Sequence, residues 1–303
     1  MSTDPLLHRV ALSGATMGTR YSCVFHAPRA DGHEALAHRL DDAVTHVDRV
    51  MSNWKAESAL SRLNAAPPGV WQVVPASLIE VLEAALAIEA ASRGAFDIGV
   101  AEAVAGWGFG PLAGKGDQPP APRPARAATR ATLEIDRVNG RVRKHAPLAL
   151  DLSGIAKGYG VDRLGHILDA AGMTGWLVGI DGEMRGRGVK PDGSAWAVGH
   201  ERPVPGRREI MGVIELTDLA VATSGTYRHF REAGGRTVSH TIDPATGEPV
   251  SGRLASVTVL AATCMAADAW ATAILVDGHW PPRSFPRPAG IEAILTPPPG
   301  FAA

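Results

Sequence analysis

The chain has 303 residues, 45% of them hydrophobic, with 30 Lys and Arg against 31 Asp and Glu for a formal charge of −1. That length implies two lobes or one large domain. The balanced charge argues against nucleic acid or an anionic membrane surface, both of which select a basic stripe. Cys23 and Cys264, the only cysteines, are too few for a disulfide framework or a zinc site and read as small buried residues. The opening MSTDPLLHRVALSG lacks the basic and apolar regions of an export signal, and no stretch reaches the roughly 18 apolar residues of a membrane span. The chain as given therefore reads as cytoplasmic; trimmed of a signal, it would suit the periplasm or a membrane-associated site.

Residues 16–25 predict a strand, with Met17, Thr19, Tyr21, Cys23 and Phe25 on one face. Leu36, Leu40, Val44, Val47 and Met51 recur every three or four residues and predict a helix over 34–51. A second helix is expected from Ser77, where Ser77-x-x-Glu80 has the form of a capping box, with Gly94 as its stop. The stretch 111–130 is rich in proline and alanine, which reads as a surface loop. Short strands are expected around an Asn139-Gly140 hairpin turn, then a strand ending at Asp151-Leu152, a small-residue turn, and a helix over 156–171 stopped by Gly172. Strands are expected at 176–180, 196–199 and 256–261, a helix over 265–276 and a last strand at 291–295. There is no internal repeat and no regular βαβ rhythm, so α+β is favoured.

Three segments carry chemistry. In TCMAADAWATAIL, Asp268 and Thr272 are four apart and share a helix face. A carboxylate and a hydroxyl are hard ligands for Mg²⁺ or Ca²⁺; they also suit a solvated Asp and a Thr bonded back to its helix. An Asp in so apolar a run is costly to bury without a partner. In ALDLSGIAKGYGVDRL, exposed amides at a helix start can receive a phosphate, Lys157 adds a cation and Gly154 permits close approach. The Walker pattern is absent, and an ordinary strand–turn–helix connection explains the same residues. In SHTIDPATGEPV, consecutive turns can bring His240 and Asp243 to one rim, although a surface or core His is the plainer reading. Trp54, Phe96 and Trp107 can sandwich a flat ring or serve as core and rim aromatics.

Taken in order, MGTRYS, MSNWKAESALSRLN, GAFDIGV…WGFG, LDLSGIAKGYGVD, VATSGTYRHF, SHTIDPATGEPV and VTVLAATCMAADAWATAI closely resemble the ApbE family, the FAD:protein FMN transferases. The resemblance covers roughly 12–278. It implies a two-lobed, T-fold-like α+β domain over those residues, preceded by a leader at 1–11 and followed by a strand and tail at 279–303. It implies an enzyme that holds FAD in a cleft with Mg²⁺, Ca²⁺ and Mn²⁺ being other candidates. That enzyme moves the FMN half onto a Ser or Thr of an acceptor flavoprotein bearing a Ser/Thr-Gly-Ala-Ser/Thr-like motif, and AMP leaves.

By the same resemblance, Asp268, Thr272 and the Gly154 carbonyl hold the metal. Met17, Trp54, Ala95, Phe96, Asp97, Asp151, Lys157 and Thr241 line the FAD. His240 matches a histidine implicated in the transfer; because a hydroxyl nucleophile needs a nearby base, His240 is the candidate for it, with Asp243 as an orienting or alternative base. An unperturbed His, with a pKa near about 6.5, accepts a proton at neutral pH. Two places depart from the family's pattern: Asp181 stands where a glycine or small residue is more usual, and 111–130 is short and proline-rich beside the family's helical insert. Ser13-Gly14-Ala15-Thr16 resembles the acceptor motif itself, yet it leads into the first strand, which makes Thr16 a backbone-paired residue. The competing expectations are a Mg²⁺-dependent FAD pyrophosphatase, a flavin-binding protein without turnover, and a purely structural protein.

Overall fold

The computed structural model of the chain describes residues 7–111, 127–204, 206–251 and 254–298; most of the proline-rich 111–130 stretch lies outside them. The first hairpin joins β1 (His8–Thr16) to β2 (Thr19–Ala27). Its turn is Met17-Gly18, both at positive φ, the backbone that matches a two-residue hairpin to strand twist. The expected strand at 16–25 is therefore split by this turn, and Thr16 closes β1 opposite Thr19. β1 starts at His8, ahead of the residue-12 boundary.

α1 (Glu34–Met51) has the expected bounds and buries Leu36, Leu40, Val44, Val47 and Met51. α2 (Ala59–Ala65) follows, with the Ser58 side chain accepting from the Ser61 amide. After β3 (Gln72–Val73), α3 (Ala76–Ala91) is entered from Pro75, whose fixed φ sets the first turn; the expected capping box does not form. Ser77 instead shares a 2.9 Å hydrogen bond with His46, and Glu80 accepts one from the Tyr159 hydroxyl at 3.0 Å. Gly94, at φ 86°, turns the chain just past the helix end, as its position predicts.

α4 (Ala101–Gly106) and α5 (Thr129–Thr132) precede the hairpin of β4 (Leu133–Asp136) and β5 (Arg141–Lys144). With β3 these form a three-stranded sheet in the order β3-β5-β4. The strand expected to end at Asp151-Leu152 is absent. The Asn64 side chain donates to the Leu150 carbonyl (2.9 Å) and accepts from the Leu150 amide (2.8 Å), standing in for a neighbouring strand.

α6 (Ala156–Ala170) ends before Gly172 at φ 79°. Then come β6 (Trp176–Ile180), β7 (Glu183–Arg187), β8 (Trp196–Glu201), β9 (Ile210–Leu216), β10 (Leu219–Gly225), β11 (Phe230–Ala233), β12 (Arg236–Ser239) and β13 (Ser256–Ala261). α7 (Cys264–Asp277) and β14 (Glu292–Thr296) complete the order. The main sheet runs β1-β2-β6-β7-β10-β13-β14, antiparallel throughout, so the C-terminal strand belongs to it. β8–β9 and β11–β12 are separate two-stranded ribbons. The architecture is α+β, as expected.

α6 lies against β6 and β7, α7 against β10 and β13, and the two helices touch each other. Small residues of α6 allow its contacts with α7 and with β6. A methyl group on Gly158 would sit 2.3 Å from the Cys264 carbonyl oxygen, and one on Gly165 would sit 2.5 Å from the Trp176 ring. Asp162 of α6 accepts from the Cys264 and Met265 amides at 3.0 and 2.9 Å, satisfying orphan donors at the start of α7. Both cysteines are fully buried and free. Gly158→Ala forces backbone against backbone and should cost roughly 1–3 kcal/mol, read as a lower urea midpoint; an unchanged midpoint would show that the helices can part.

Candidate active site

The end of one loop, the start of α6 and the middle of α7 build the site. Before α6, Asp151 folds a tight turn by accepting the Ser153 amide (2.8 Å) and hydroxyl (2.5 Å). That turn delivers Gly154 to α7: a methyl group there would lie 3.2 Å from Thr272 Oγ1 and 3.4 Å from the Phe96 ring. One helical turn before Thr272, Asp268 accepts the Gly158 amide at 3.0 Å. Thr272 Oγ1 is 3.0 Å from Ser224 Oγ of β10. Gly154, Asp268, Thr272 and Phe96 thus meet where α6 begins. The Met17 methyl lies against Gly160, further along α6.

Asp268 is only 4% exposed. Burial, followed by the charge of Glu183, holds its carboxyl well above the ordinary carboxylate range, against the opposing pull of Lys157 and the Gly158 amide. A buried carboxylate in that state calls for a positive partner. Among the described residues, no group of three or more His, Cys, Asp or Glu side chains forms a cation cage. One carboxylate, one hydroxyl and one backbone segment are a sparse, hard-oxygen set. It fits a divalent ion that completes its shell with water and phosphate oxygens rather than one needing a full protein cage.

Lys157, in the first turn of α6, extends to the β6–β7 turn. Its Nζ is 2.8 Å from Glu183 Oε1 and 3.7 Å from Asp181 Oδ2. Burial alone would lower its pKa, but Glu183, Asp268 and Asp181 outweigh that and keep it a firm cation.

His240 follows β12 directly. Its amide and Nδ1 both lie against the His229 carbonyl, at 3.1 and 3.2 Å. With Nδ1–H donating there, Nε2 is left with the lone pair. Burial, then the neighbouring His229, pushes the pKa down to about 4, with Lys157 acting in the same direction. The ordinary value expected from the sequence does not hold, and the ring is neutral throughout the physiological range. Nitrogen-15 NMR should show His240 as the Nδ1–H tautomer, uncharged down to about pH 5; a midpoint at 6.5, the usual value, would refute the assignment.

Other expected site residues are placed differently. Asp243 accepts the Ala245 amide at 2.9 Å and closes its own turn; the group that orients His240 is the His229 carbonyl. Asp97 is committed to the Gly99 amide (2.7 Å) and the Thr129 hydroxyl (2.5 Å). Ala95 packs on the main core. Thr241 is buried, and its carbonyl accepts the Val250 amide. Trp54 is 74% exposed after α1, an open aromatic face rather than a packed one.

A profile of the ApbE family matches residues 17–295. The chain belongs to the ApbE family. It is 37% identical to the FAD:protein FMN transferase of Vibrio cholerae serotype O1, over 89% of this chain and 82% of that one. It is 33% identical to the protein of the same name from Klebsiella pneumoniae, over 96% and 85%. Among solved structures, the apo flavinyl transferase ApbE of Pseudomonas stutzeri superposes with a TM-score of 0.79 at 31% identity, covering 96% of this chain and 95% of that one. The flavin transferase ApbE of Vibrio cholerae gives 0.77 at 34%, covering 89% and 87%. Membership makes the chain an enzyme of the transferase class.

Within this ApbE chain, sequence reasoning missed Glu183, Ser224 and His229 as parts of the site. Glu183 had no sequence signal of its own; only its pairing with the half-buried Lys157 reveals it. Ser224 and His229 lie inside the VATSGTYRHF motif, but their parts in the site come only from the β10 register and the base of the β11–β12 ribbon.

Proposed function

We propose that this chain transfers the FMN half of FAD to a Ser or Thr hydroxyl of an acceptor flavoprotein, with release of AMP. The observation that carries the reading is the meeting of Asp268, Thr272, Gly154 and Lys157 at the start of α6, with a neutral His240 held by His229. The names of the relatives support FAD as the substrate.

Asp268, Thr272 and the Gly154 carbonyl are the groups that would hold Mg²⁺; Ca²⁺ and Mn²⁺ suit the same oxygens. When bound, such an ion supplies charge neutralisation at the pyrophosphate. The remaining tasks fall to the chain's own side chains. Lys157 offers a fixed cation to the phosphates. His240 Nε2 accepts the proton of the acceptor hydroxyl as that oxygen bonds to the FMN phosphorus. The bond from that phosphorus to the AMP phosphate oxygen breaks, and AMP departs with the electron pair. Phosphoryl chemistry of this kind depends mainly on positioning and charge. A hydroxyl nucleophile needs a nearby base, and a neutral imidazole supplies one without prior deprotonation. Thr16 is not a ready acceptor, being buried and backbone-paired at the end of β1.

The test is intact mass spectrometry of a small domain carrying an Asp-x-x-Ser-Gly-Ala-Thr-like site, incubated with the protein, FAD and Mg²⁺, with a chelator control. A chelator-sensitive gain of one FMN phosphoryl unit supports the reading. FMN and AMP released with the acceptor unmodified would replace it with hydrolysis. FAD bound but intact would leave a flavin-binding protein. Among the described residues no helix is long and apolar enough to cross a membrane.

A further inference from the structure

We propose that Glu183 is the positioning residue of Lys157, assisted by Asp181, and that this pair of carboxylates sets where the lysine cation stands relative to the substrate phosphates. The inference rests on the transferase reading but goes beyond it, since neither acid belongs to the expected metal or flavin set.

Glu183 opens β7 and is 4% exposed, a place where a carboxylate needs a cation beside it. Oε1 accepts from Lys157 Nζ at 2.8 Å; Oε2 is buried with no hydrogen-bond partner among the described residues. The lysine is therefore the group that answers this carboxylate.

The β6–β7 turn aims the second acid at the same ammonium. Asp181 has φ 58° and Gly182 φ 141°, a tight reversal closed by the Ile180–Glu183 pair. A non-glycine residue at positive φ is uncommon, though Asp tolerates it better than most, and at this position the family more usually has a glycine or small residue. Here the side chain has a use: Asp181 Oδ2 is 3.7 Å from Lys157 Nζ, while its carbonyl accepts from Arg228 at 3.3 Å.

A free lysine side chain samples many rotamers, and ordering it at the moment of reaction costs entropy. An ammonium has three N–H donors. Glu183 takes one, Asp181 lies within ion-pair reach of a second, and one remains for a phosphate oxygen. The clamp thus fixes the cation without using it up.

The experiment compares Glu183→Gln, Lys157→Met and the double variant with the unaltered protein. FAD dissociation constants are read by flavin fluorescence without acceptor, and transfer rates by mass spectrometry. Glu183→Gln should weaken FAD binding about 3- to 10-fold and slow transfer about 10- to 100-fold, while adding nothing further in the Lys157→Met background. Losses that multiply in the double variant, or an unaffected Glu183→Gln, overturn the proposal. If thermal melts show Glu183→Gln unfolded, Glu183→Asp takes its place: it keeps the charge but withdraws it by one methylene. An intermediate loss is then expected, and no loss overturns the proposal. Failure of the transferase reading shows itself separately, as an unaltered protein that binds FAD and modifies no acceptor, and the binding comparison still decides the clamp.

Discussion

Asp268→Ala should abolish Mg²⁺ binding and reduce FMN transfer by about a thousandfold or more, since the loss of metal-assisted charge stabilisation is worth several kcal/mol of barrier. Asp268 is the single carboxylate among the groups proposed to hold the ion, and Thr272 and the Gly154 carbonyl are neutral. Isothermal titration with Mg²⁺ alone reads the binding step without reference to turnover. Fold stability should not fall in parallel. The carboxyl is buried and already disfavoured as an anion by burial and Glu183, so its removal takes away an unfavourable charge along with the one bond to the Gly158 amide. A variant that melts like the parent but neither binds the ion nor transfers FMN is the expected outcome. Normal Mg²⁺-dependent transfer by Asp268→Ala would remove this residue from the metal site.

His240→Ala should slow transfer by about 10²- to 10⁴-fold, the usual contribution of a positioned general base, with FAD affinity changed by no more than about threefold. The contrast with Asp243→Ala is the informative part. Asp243 spends its side chain on its own turn, so its loss acts only by loosening the segment that carries His240, and a decrease of about tenfold or less is expected. Rates with acceptor in excess decide between them. Equal losses in the two variants would restore Asp243 as a direct partner in proton transfer, and a larger loss in Asp243→Ala would make it the base.

Much of this geometry could be read from spacing alone. The apolar stripe of α1 gave its bounds, because one face buries against the core and the other does not. Asp268 and Thr272, four residues apart, do share a helix face, and the ALDLSGIAKGYG turn does present a helix start. What escaped was set by partners distant in sequence. Ser77 and Glu80 had the composition of a capping box, but each found a tertiary partner, and Pro75 made a side-chain cap unnecessary. The stretch before Asp151 had the apolarity of a strand, yet the Asn64 side chain took the place of the neighbouring strand's backbone. His240 was found as a residue type in a turn. Its tautomer and lowered proton affinity come from the His229 carbonyl and burial, which no local pattern encodes.

The crossing of α6 and α7 at Gly158 has a consequence for how the enzyme can vary. The helix carrying Lys157 and the helix carrying Asp268 and Thr272 touch backbone to backbone, and Asp162 ties the start of α7 to the middle of α6. They form one unit of inheritance: a bulkier residue on either side of the contact requires an answering change on the other. Substitution is therefore better tolerated elsewhere, at exposed positions such as Trp54 after α1, where it leaves the paired helices undisturbed.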